Sequence, residues 1–339
     1  MKLVIDWQLS SYFGWGIYGI NLALEWARRP DIEAHSAHVV RLDQVAVGRL
    51  RLNAIAPFVR RSNMQQAPPP DAIILHALGN DFAGDIPEKQ PRIGVVFFEE
   101  PLSPAGVERA RRYDTIVAGS TWNADVLKGH GLGNVVTLIQ GVDRSLFHPA
   151  PCRNLYPGRF LIFSGGKAEP RKGQDLVVAA FRVFAQRHPE AMLVTAWHSP
   201  WPQLRFGMDI DLSGLLDRVI DIGAAPNSAM APIYRECHVG LFPSRAEGGT
   251  NLVAMELIAC GVPAIVSANT GHLDLLRLTN VRGIYSKPAT GDQSGPGEPN
   301  LEQMLYELER IFDGEVPRGE DRLPGWDVAA QGLIDVCRP

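Results

Sequence analysis

A chain of 339 residues is expected to fold as two domains, at roughly 100–200 residues per domain. Its 45% hydrophobic and 21% charged residues are those of a globular protein and exclude a mainly disordered one. Lys and Arg number 33 against 37 Asp and Glu, and the net charge of -4 has the wrong sign for a protein that binds nucleic acid by neutralising phosphates.

The first residues, MKLVIDWQ, reach Asp6 after three apolar residues, so no signal-peptide core is expected. No apolar stretch approaches the roughly 18 residues of a membrane span. Cys152, Cys237, Cys260 and Cys337 are too widely spaced for a zinc or redox motif and read as small buried hydrophobes. A reducing, cytoplasmic location is the expectation. Strand-like runs follow at Leu3–Trp7, Ala37–Leu42, Ala72–His76, Gly94–Phe98, Thr115–Ala118 and Val135–Ile139. A second series runs through Phe160–Ser164, Met192–Ala196, Val219–Ile222, Val239–Phe242, Ala264–Ser267 and Gly283–Tyr285. Most are continuously apolar, as in strands covered on both faces. Amphipathic stretches such as Ile17–Arg29, Leu176–His188 and Leu252–Ala259 lie between them.

This alternation predicts an α/β chain of two doubly wound, Rossmann-like parallel sheets, whose ligands bind at the carboxyl ends of the strands and in a cleft between facing domains. The series restarts near residue 150, where HPAPCRNLYPG supplies three prolines and a glycine as a linker. QQAPPPDA at 65–72 and ATGDQSGPGEPN at 289–300 read as loops, the latter as a mobile surface connection.

The strongest chemical signal is RAEGGTNLVAMELIACGVPAIVS at 245–267. Glu247, Gly248, Gly249 and Thr250 form a tight loop after a strand. A short helix follows with Thr250 or Asn251 as N-cap and stops at Gly261, with Pro263 beyond. Glycines admit a ligand close to the backbone, and a helix start offers N–H groups to an anion. Glu247 on the loop and Glu256 about one turn into the helix are acceptor-only groups suited to the hydroxyls of sugar and ribose. In FSGGKAEPRKGQDLVVAAF at 163–181, Gly165 and Gly166 end a strand, Lys167 and Lys172 follow, and no Walker spacing is present.

Three features of the first half stay open. Gly14, Gly16 and Gly19 spell GxGxxG after a strand, which a nicotinamide-dependent oxidoreductase would use, although six residues separate Trp7 from Gly14 and the acid after the second strand, Asp43, is a weak match. Glu99 and Glu100, in GVVFFEEPLSP, and His76, after the third strand, are candidates for an acceptor site. Solvated loop acids and a satisfied buried histidine are the competing readings. RLRLNAIAPFVRR at 49–61 carries four arginines and reads as a packed amphipathic segment or as a surface resting on an anionic membrane.

The run Pro243-Ser244-Arg245-Ala246-Glu247-Gly248-Gly249-Thr250, with Met255-Glu256-Leu257-Ile258-Ala259-Cys260-Gly261, resembles the signature of the retaining GT-B glycosyltransferases of family 4 (glycosyl transferases group 1). That signature has seven residues between its two glutamates, and this chain has eight. The extra residue falls in the Gly-Gly-Thr-Asn loop. LIQGVDRSLFHP at 138–149 resembles the segment that closes the family's first domain. The resemblance implies an acceptor-binding domain over 1–149, a donor-binding domain over 150–322, and a terminal helix over 323–339, opened by Trp326, that packs back on the first domain.

It also implies roles. Glu247 would orient the donor sugar, and Glu256 would hold the nucleotide ribose. Lys167 and Lys172 would grip the diphosphate, with Lys167 standing where the family has Arg. Gly248, Gly249, Thr250 and Asn251 would line the donor, and Gly14 and Gly16 would reach its phosphates. Glu99 and Glu100 occupy the region where many members carry a reacting-centre histidine, so that role does not transfer.

The expected activity is metal-independent, retaining transfer of a hexose from a UDP- or GDP-sugar, with no other cofactor, to a saccharide or lipid-linked acceptor. Polysaccharide assembly at the inner face of a membrane would be its setting. A nicotinamide oxidoreductase, a nucleotide-sugar epimerase or hydrolase of the same fold, and a non-catalytic sugar-nucleotide binder are the alternatives.

Overall fold

The computed structural model describes residues 1–64, 68–83, 88, 91–198, 210–316 and 323–338. The chain forms two compact units, one of Met1–Asp143 with Pro226–Ser228 and Pro324–Pro339, the other of Arg144–Ala225 with Ala229–Leu323. Residues 144–149 pack within the second unit. There Arg144 donates to the Leu323 carbonyl at 2.7 Å, and the Phe147 ring lies 5.9 Å from that of Tyr234. Residues 317–322, which hold the expected boundary at 322, and residues 65–67 of the QQAPPPDA loop lie outside the described residues.

The first unit is built on β1 (Lys2–Asp6), β2 (Glu33–Ser36), β3 (Ile73–Leu78), β4 (Ile93–Val96), β5 (Thr115–Ala118) and β6 (Val135–Thr137). They form one parallel sheet in the order β2-β1-β3-β4-β5-β6. Its helices are α1 (Gly14–Trp26), α2 (Arg49–Met64), α3 (Pro104–Ala110) and α4 (Thr121–Gly129). The strand expected at Ala37–Leu42 is absent, and β2 lies earlier, at Glu33–Ser36. In the 37–42 segment Val39 and Leu42 face solvent, whereas Ala34 and His35, in a stretch of ordinary polarity, are buried. Apolar content pointed to the wrong residues because pairing with β1, not side-chain type, selects this strand.

In α2, Ile55, Phe58 and Val59 are buried, and Pro57 sits on the exposed side. This is the packed reading of the arginine-rich segment. No helix among the described residues is long and apolar enough to cross a membrane.

The second unit uses β7 (Phe160–Lys167), β8 (Ala191–His198), β9 (Val219–Asp221), β10 (Val239–Phe242), β11 (Ala264–Ser267) and β12 (Val281–Ile284), again all parallel, in the order β12-β11-β10-β7-β8-β9. The helices are α5 (Gln174–Arg187), α6 (Met230–Glu236), α7 (Leu252–Ala259) and α8 (Leu301–Phe312). Phe160, Phe181, Phe184, Met304 and Leu308 fill the layer between the sheet and helices α5 and α8.

The segment 289–300, read as a mobile loop, instead contributes β14 (Gly297–Pro299) to a hairpin with β13 (Ser286–Pro288). The Gly297 amide donates to the Arg245 carbonyl, and Arg245 also pairs with Glu298 at 2.6 Å. Gly/Pro composition recorded the turn but not these tertiary ties. Cys237, Cys260 and Cys337 are buried as expected, while Cys152 is exposed.

The last helix, α9 (Trp326–Val336), belongs to the first unit. The Trp26 indole donates to the Ala330 carbonyl at 3.2 Å, and the Trp326 ring stacks on Tyr18 at 5.5 Å. Leu333 of α9 is fully buried. Leu333→Ala is therefore expected to cost about 2–5 kcal/mol. Urea denaturation followed by tryptophan fluorescence checks this, because the affected unit holds the stacked indoles.

Candidate active site

In the second unit the strand order reverses between β7 and β10. Loops leaving the carboxyl ends of these two strands diverge, which opens a crevice where such sheets bind ligands. Both motif segments start there. After β7 the chain makes a 3-10 turn at Pro170–Lys172, and Gly173 follows at φ +68 as the N-cap of α5. A Cβ on Gly173 would overlap the Pro243 carbonyl oxygen, so this glycine lets the two loops touch.

The Glu247 carboxylate is the centre of the site. It is 4% exposed. Lys172 Nζ donates to both its oxygens, at 2.6 and 2.7 Å. Arg171 lies 3.4 Å away, the Ser244 hydroxyl donates at 2.6 Å, and the Asn251 amide donates at 3.1 Å. Burial alone would raise its pKa, but the charges of Lys172 and Arg171 outweigh that and hold it at about 2. Its backbone N–H donates to Thr270 Oγ1 at 2.8 Å, and its carbonyl accepts from the Gly271 amide at 3.0 Å. A Cβ on Gly271 would overlap the Gly249 carbonyl, so the Glu247–Gly249 loop packs directly on the 270–271 backbone.

His272 stands beside this loop, fully buried, with Nε2 3.9 Å from Glu247 Oε1. Burial lowers its pKa to about 4, so it is neutral near pH 7.

The expected site residues separate as follows. Glu247 and Lys172, assigned to sugar and diphosphate, are directly paired. Lys167 ends β7 with Nζ 3.7 Å from Glu169, which also binds Arg171 at 2.8 Å. Glu256 is buried in α7, and the Tyr234 hydroxyl donates to it at 3.3 Å. Burial and Glu256 push the Tyr234 hydroxyl well above its ordinary pKa, so it remains a donor. Asn251 rather than Thr250 is the N-cap of α7, and its Oδ1 accepts from the Ala254 amide. Thr250 is buried with its hydroxyl on Met255 Sδ at 2.8 Å. Gly248 is buried and Gly249 partly exposed.

The sequence reading missed Arg171, Ser244, Tyr234, Arg245 and His272. Arg171 was visible as a second cation beside Lys172. Arg245, paired with Asp175 and Glu298, carried no signal, since its partners are 70 and 53 residues away.

In the first unit Gly14 starts α1. A Cβ on Gly16 would overlap Ser10, and one on Gly19 would press on Trp7 and Leu9, so packing of α1 on its own preceding loop accounts for both glycines. Asp43, the acid a nicotinamide ribose would need, pairs with Arg41 at 2.9 Å. This sheet also lacks the dinucleotide-binding strand order. The oxidoreductase reading thus loses its structural basis. His76 Nδ1 lies 2.9 Å from Asp6 Oδ2, and His38 Nε2 lies 3.3 Å from Asp6 Oδ1, all at the carboxyl ends of β1 and β3 or just after β2. Glu99 is half-buried, with its backbone N–H on Asn80 Oδ1, and Glu100 is exposed.

The two buried groups set an acid sensitivity. Unfolded, His272 protonates near 6.5 and Glu247 near 4.5; folded, they protonate near 4 and 2. The unfolded chain binds more protons across both windows, so stability falls as pH drops. The thermal midpoint is expected to decline from pH 6.5 to 4 and further below 4.5. His272→Leu should remove the upper decline only, as read by calorimetry against pH. Gly271→Ala is expected to cost about 1–3 kcal/mol in the same measurement at pH 7, through displacement of the Gly249 backbone.

Residues 158–293 match the family model described as Glycosyl transferases group 1. The chain is 27% identical over 182 residues to the GDP-mannose-dependent alpha-(1-6)-phosphatidylinositol dimannoside mannosyltransferase of Mycobacterium tuberculosis, a match covering 51% of this chain and 45% of the relative. It is 28% identical over 170 residues to the D-inositol 3-phosphate glycosyltransferase of Paenarthrobacter aurescens, covering 47% of this chain and 41% of the relative. The chain thus spans about half the length of the curated relatives it matches. Among solved structures, sucrose-phosphate synthase from Thermosynechococcus elongatus has a TM-score of 0.69 at 17% identity, covering 99% of this chain and 98% of that one. Anabaena HepE, in complex with UDP and glucose, has a TM-score of 0.61 at 15% identity, covering 98% and 94%. At such identities the likeness is one of fold. The chain's segment 158–293 is thus similar to the glycosyl transferases group 1, and its two parallel α/β units have the GT-B fold.

Proposed function

We propose that the chain is a retaining hexosyltransferase that takes a hexose from a nucleotide diphosphate sugar. The observation that carries this reading is the charge cluster at the carboxyl ends of β7 and β10. Among the described residues, the three cations Lys167, Arg171 and Lys172 gather around the two carboxylates of Glu169 and Glu247, a cluster in which cations predominate. A diphosphate answers that excess, and such cations stabilise the charge that builds on a departing nucleotide. Named relatives that act on GDP-mannose and a fold neighbour bound to UDP-glucose support a donor of this class.

In the proposed mechanism Lys167 and Lys172 hold the diphosphate, the former exposed enough to reach it and the latter poised by Glu247. Glu256 accepts from the ribose hydroxyls, with Tyr234 fixing its carboxylate. Glu247, ionised and immobilised, orients the sugar. As the glycosyl–phosphate bond breaks, the departing phosphate oxygen takes the proton of the acceptor hydroxyl on the same face, and no enzyme nucleophile takes part. The donor is the only cofactor-like group required, and these cations do the work a metal does elsewhere. The acceptor, a saccharide or lipid-linked saccharide, is assigned to the first unit, with His76, Glu99 and Glu100 as its contacts. A cytoplasmic protein, touching the membrane only peripherally through its acceptor, fits this reading.

A thermal-shift screen of UDP-, GDP- and ADP-hexoses is expected to give one donor that raises the melting temperature. With that donor, proton NMR of the product should show the donor's anomeric configuration; an inverted product would overturn the retaining assignment. Glu256→Gln is expected to lower kcat/KM by about 100-fold while leaving the melting temperature within a few degrees. Lys172→Ala should act on both properties, because it strands a buried carboxylate at a cost of about 3–5 kcal/mol. Lys172→Arg separates the two effects by keeping the charge, and calorimetry beside a nucleotide-release assay reads them.

A further inference from the structure

Eight residues separate Glu247 from Glu256, and the loop among them carries an unusual backbone conformation. Asn251 has φ +61, outside the usual range for a residue with a side chain. In this position its amide faces two partners. Nδ2 lies 3.1 Å from Glu247 Oε1 and 3.2 Å from His272 Nε2, while Oδ1 accepts from the Ala254 amide at 3.4 Å.

The proton inventory then has one solution. An ionised carboxylate only accepts, so the atom facing Glu247 must be the amide nitrogen. Its second hydrogen points at His272, so Nε2 must be the unprotonated acceptor. The ring hydrogen is therefore on Nδ1, 3.0 Å from Ser267 Oγ, and that hydroxyl donates to the Ser244 carbonyl at 2.6 Å. Asn251, Ser267 and His272 are all buried. A flipped amide would turn Oδ1 toward the Glu247 carboxylate and lose the Ala254 cap. The acceptor nitrogen of His272 rewards only the orientation seen.

We propose that His272, in its Nδ1–H tautomer, is a positioning residue: acting through Asn251, it fixes the Glu247 carboxylate that orients the donor sugar. This rests on the donor-sugar role proposed above for Glu247. The effect is directed at the sugar end, because neither side chain hydrogen-bonds Lys167 or Lys172, assigned to the diphosphate, or Glu256, assigned to ribose, and Glu247 keeps its direct pair with Lys172. The charged groups facing His272 are Glu247, Lys172 and Arg171; burial, aided by the two cations, keeps the ring neutral against Glu247 until about pH 4.

Two measurements test this. The first needs no activity: nitrogen-15 NMR of the imidazole in the full chain at pH 7, with no nucleotide added, should show protonated Nδ1 and bare Nε2 for His272. An Nε2–H tautomer would overturn the proposal.

The second compares UDP with UDP-glucose and GDP with GDP-mannose by calorimetric titration, together with turnover on the pair that binds. His272→Leu should leave the affinity for the nucleoside diphosphate within about twofold and lower kcat with the sugar nucleotide at least tenfold. His272→Gln, whose carbonyl can accept from Asn251, should recover most of that loss. Should His272→Leu not fold, Asn251→Asp gives the same reading by placing an acceptor against Glu247. In an Asn251→Ala background, His272→Gln should have no further effect on kcat. Equal losses for diphosphate and sugar nucleotide, or no loss at all, would overturn the positioning role. Failure of the wild-type chain to bind any nucleotide sugar would instead refute the transferase reading, and the tautomer measurement would still decide the hydrogen-bond chain.

Discussion

A carboxylate removed from water in the second unit governs the construction around it. Glu247 is nearly inaccessible and ionised, a state that costs several kcal/mol unless cations and donors surround it. Lys172 and Arg171 provide charge, and Ser244 and Asn251 provide hydrogen bonds. They come from three stretches: the turn after β7, the bend after β10, and the cap of α7. Satisfying one charge thereby joins the two loops that leave the strand-order reversal, and a pair of loops that would otherwise diverge becomes a rigid wall.

The backbone follows from the same requirement. For Lys172 to reach Glu247, the turn after β7 must press against Pro243, and only a glycine at 173 permits the contact. For the carboxylate to be held from behind, the 270–271 backbone must meet the Glu247–Gly249 loop, and only a glycine at 271 permits that. Thr270 and Asn251 accept positive φ values for the same reason. Such strain persists where surrounding structure over-determines it, and these two residues both hydrogen-bond to Glu247. Arg245 extends the arrangement outward by tying the start of α5, through Asp175, to the β13–β14 hairpin, through Glu298.

The first unit shows another use of the same architecture. Its glycine-rich segment has the letters of a dinucleotide fingerprint, and the missing side chains of Gly16 and Gly19 admit Ser10, Trp7 and Leu9. Its sheet reverses order between β1 and β3, and Asp6 stands there between His76 and His38. Two similar sheets in one chain thus place different chemistry at their carboxyl edges: a cation-rich cluster in one, an imidazole–carboxylate cluster in the other.

The sequence alone determined what depends on local pattern. Buried parallel strands must be apolar throughout, so β5, β10 and β11 could be read to the residue, and the helix α7 followed from its bounding Asn251 and Gly261. The motif segments pointed to the two loops that the fold brings together at the carboxyl ends of β7 and β10. Only the tertiary structure decided who touches whom. Lys172 and Glu247 are 75 residues apart, as are Arg171 and the Ala246 carbonyl, and no spacing rule connects them. The β2 strand and the β13–β14 hairpin were missed because their stability comes from partners distant in the chain, not from their own residues. His272 is a further instance. In sequence it is an unremarked residue after Thr-Gly, and it gains a role only when folding removes water from its ring and leaves a single arrangement of protons that satisfies every neighbour.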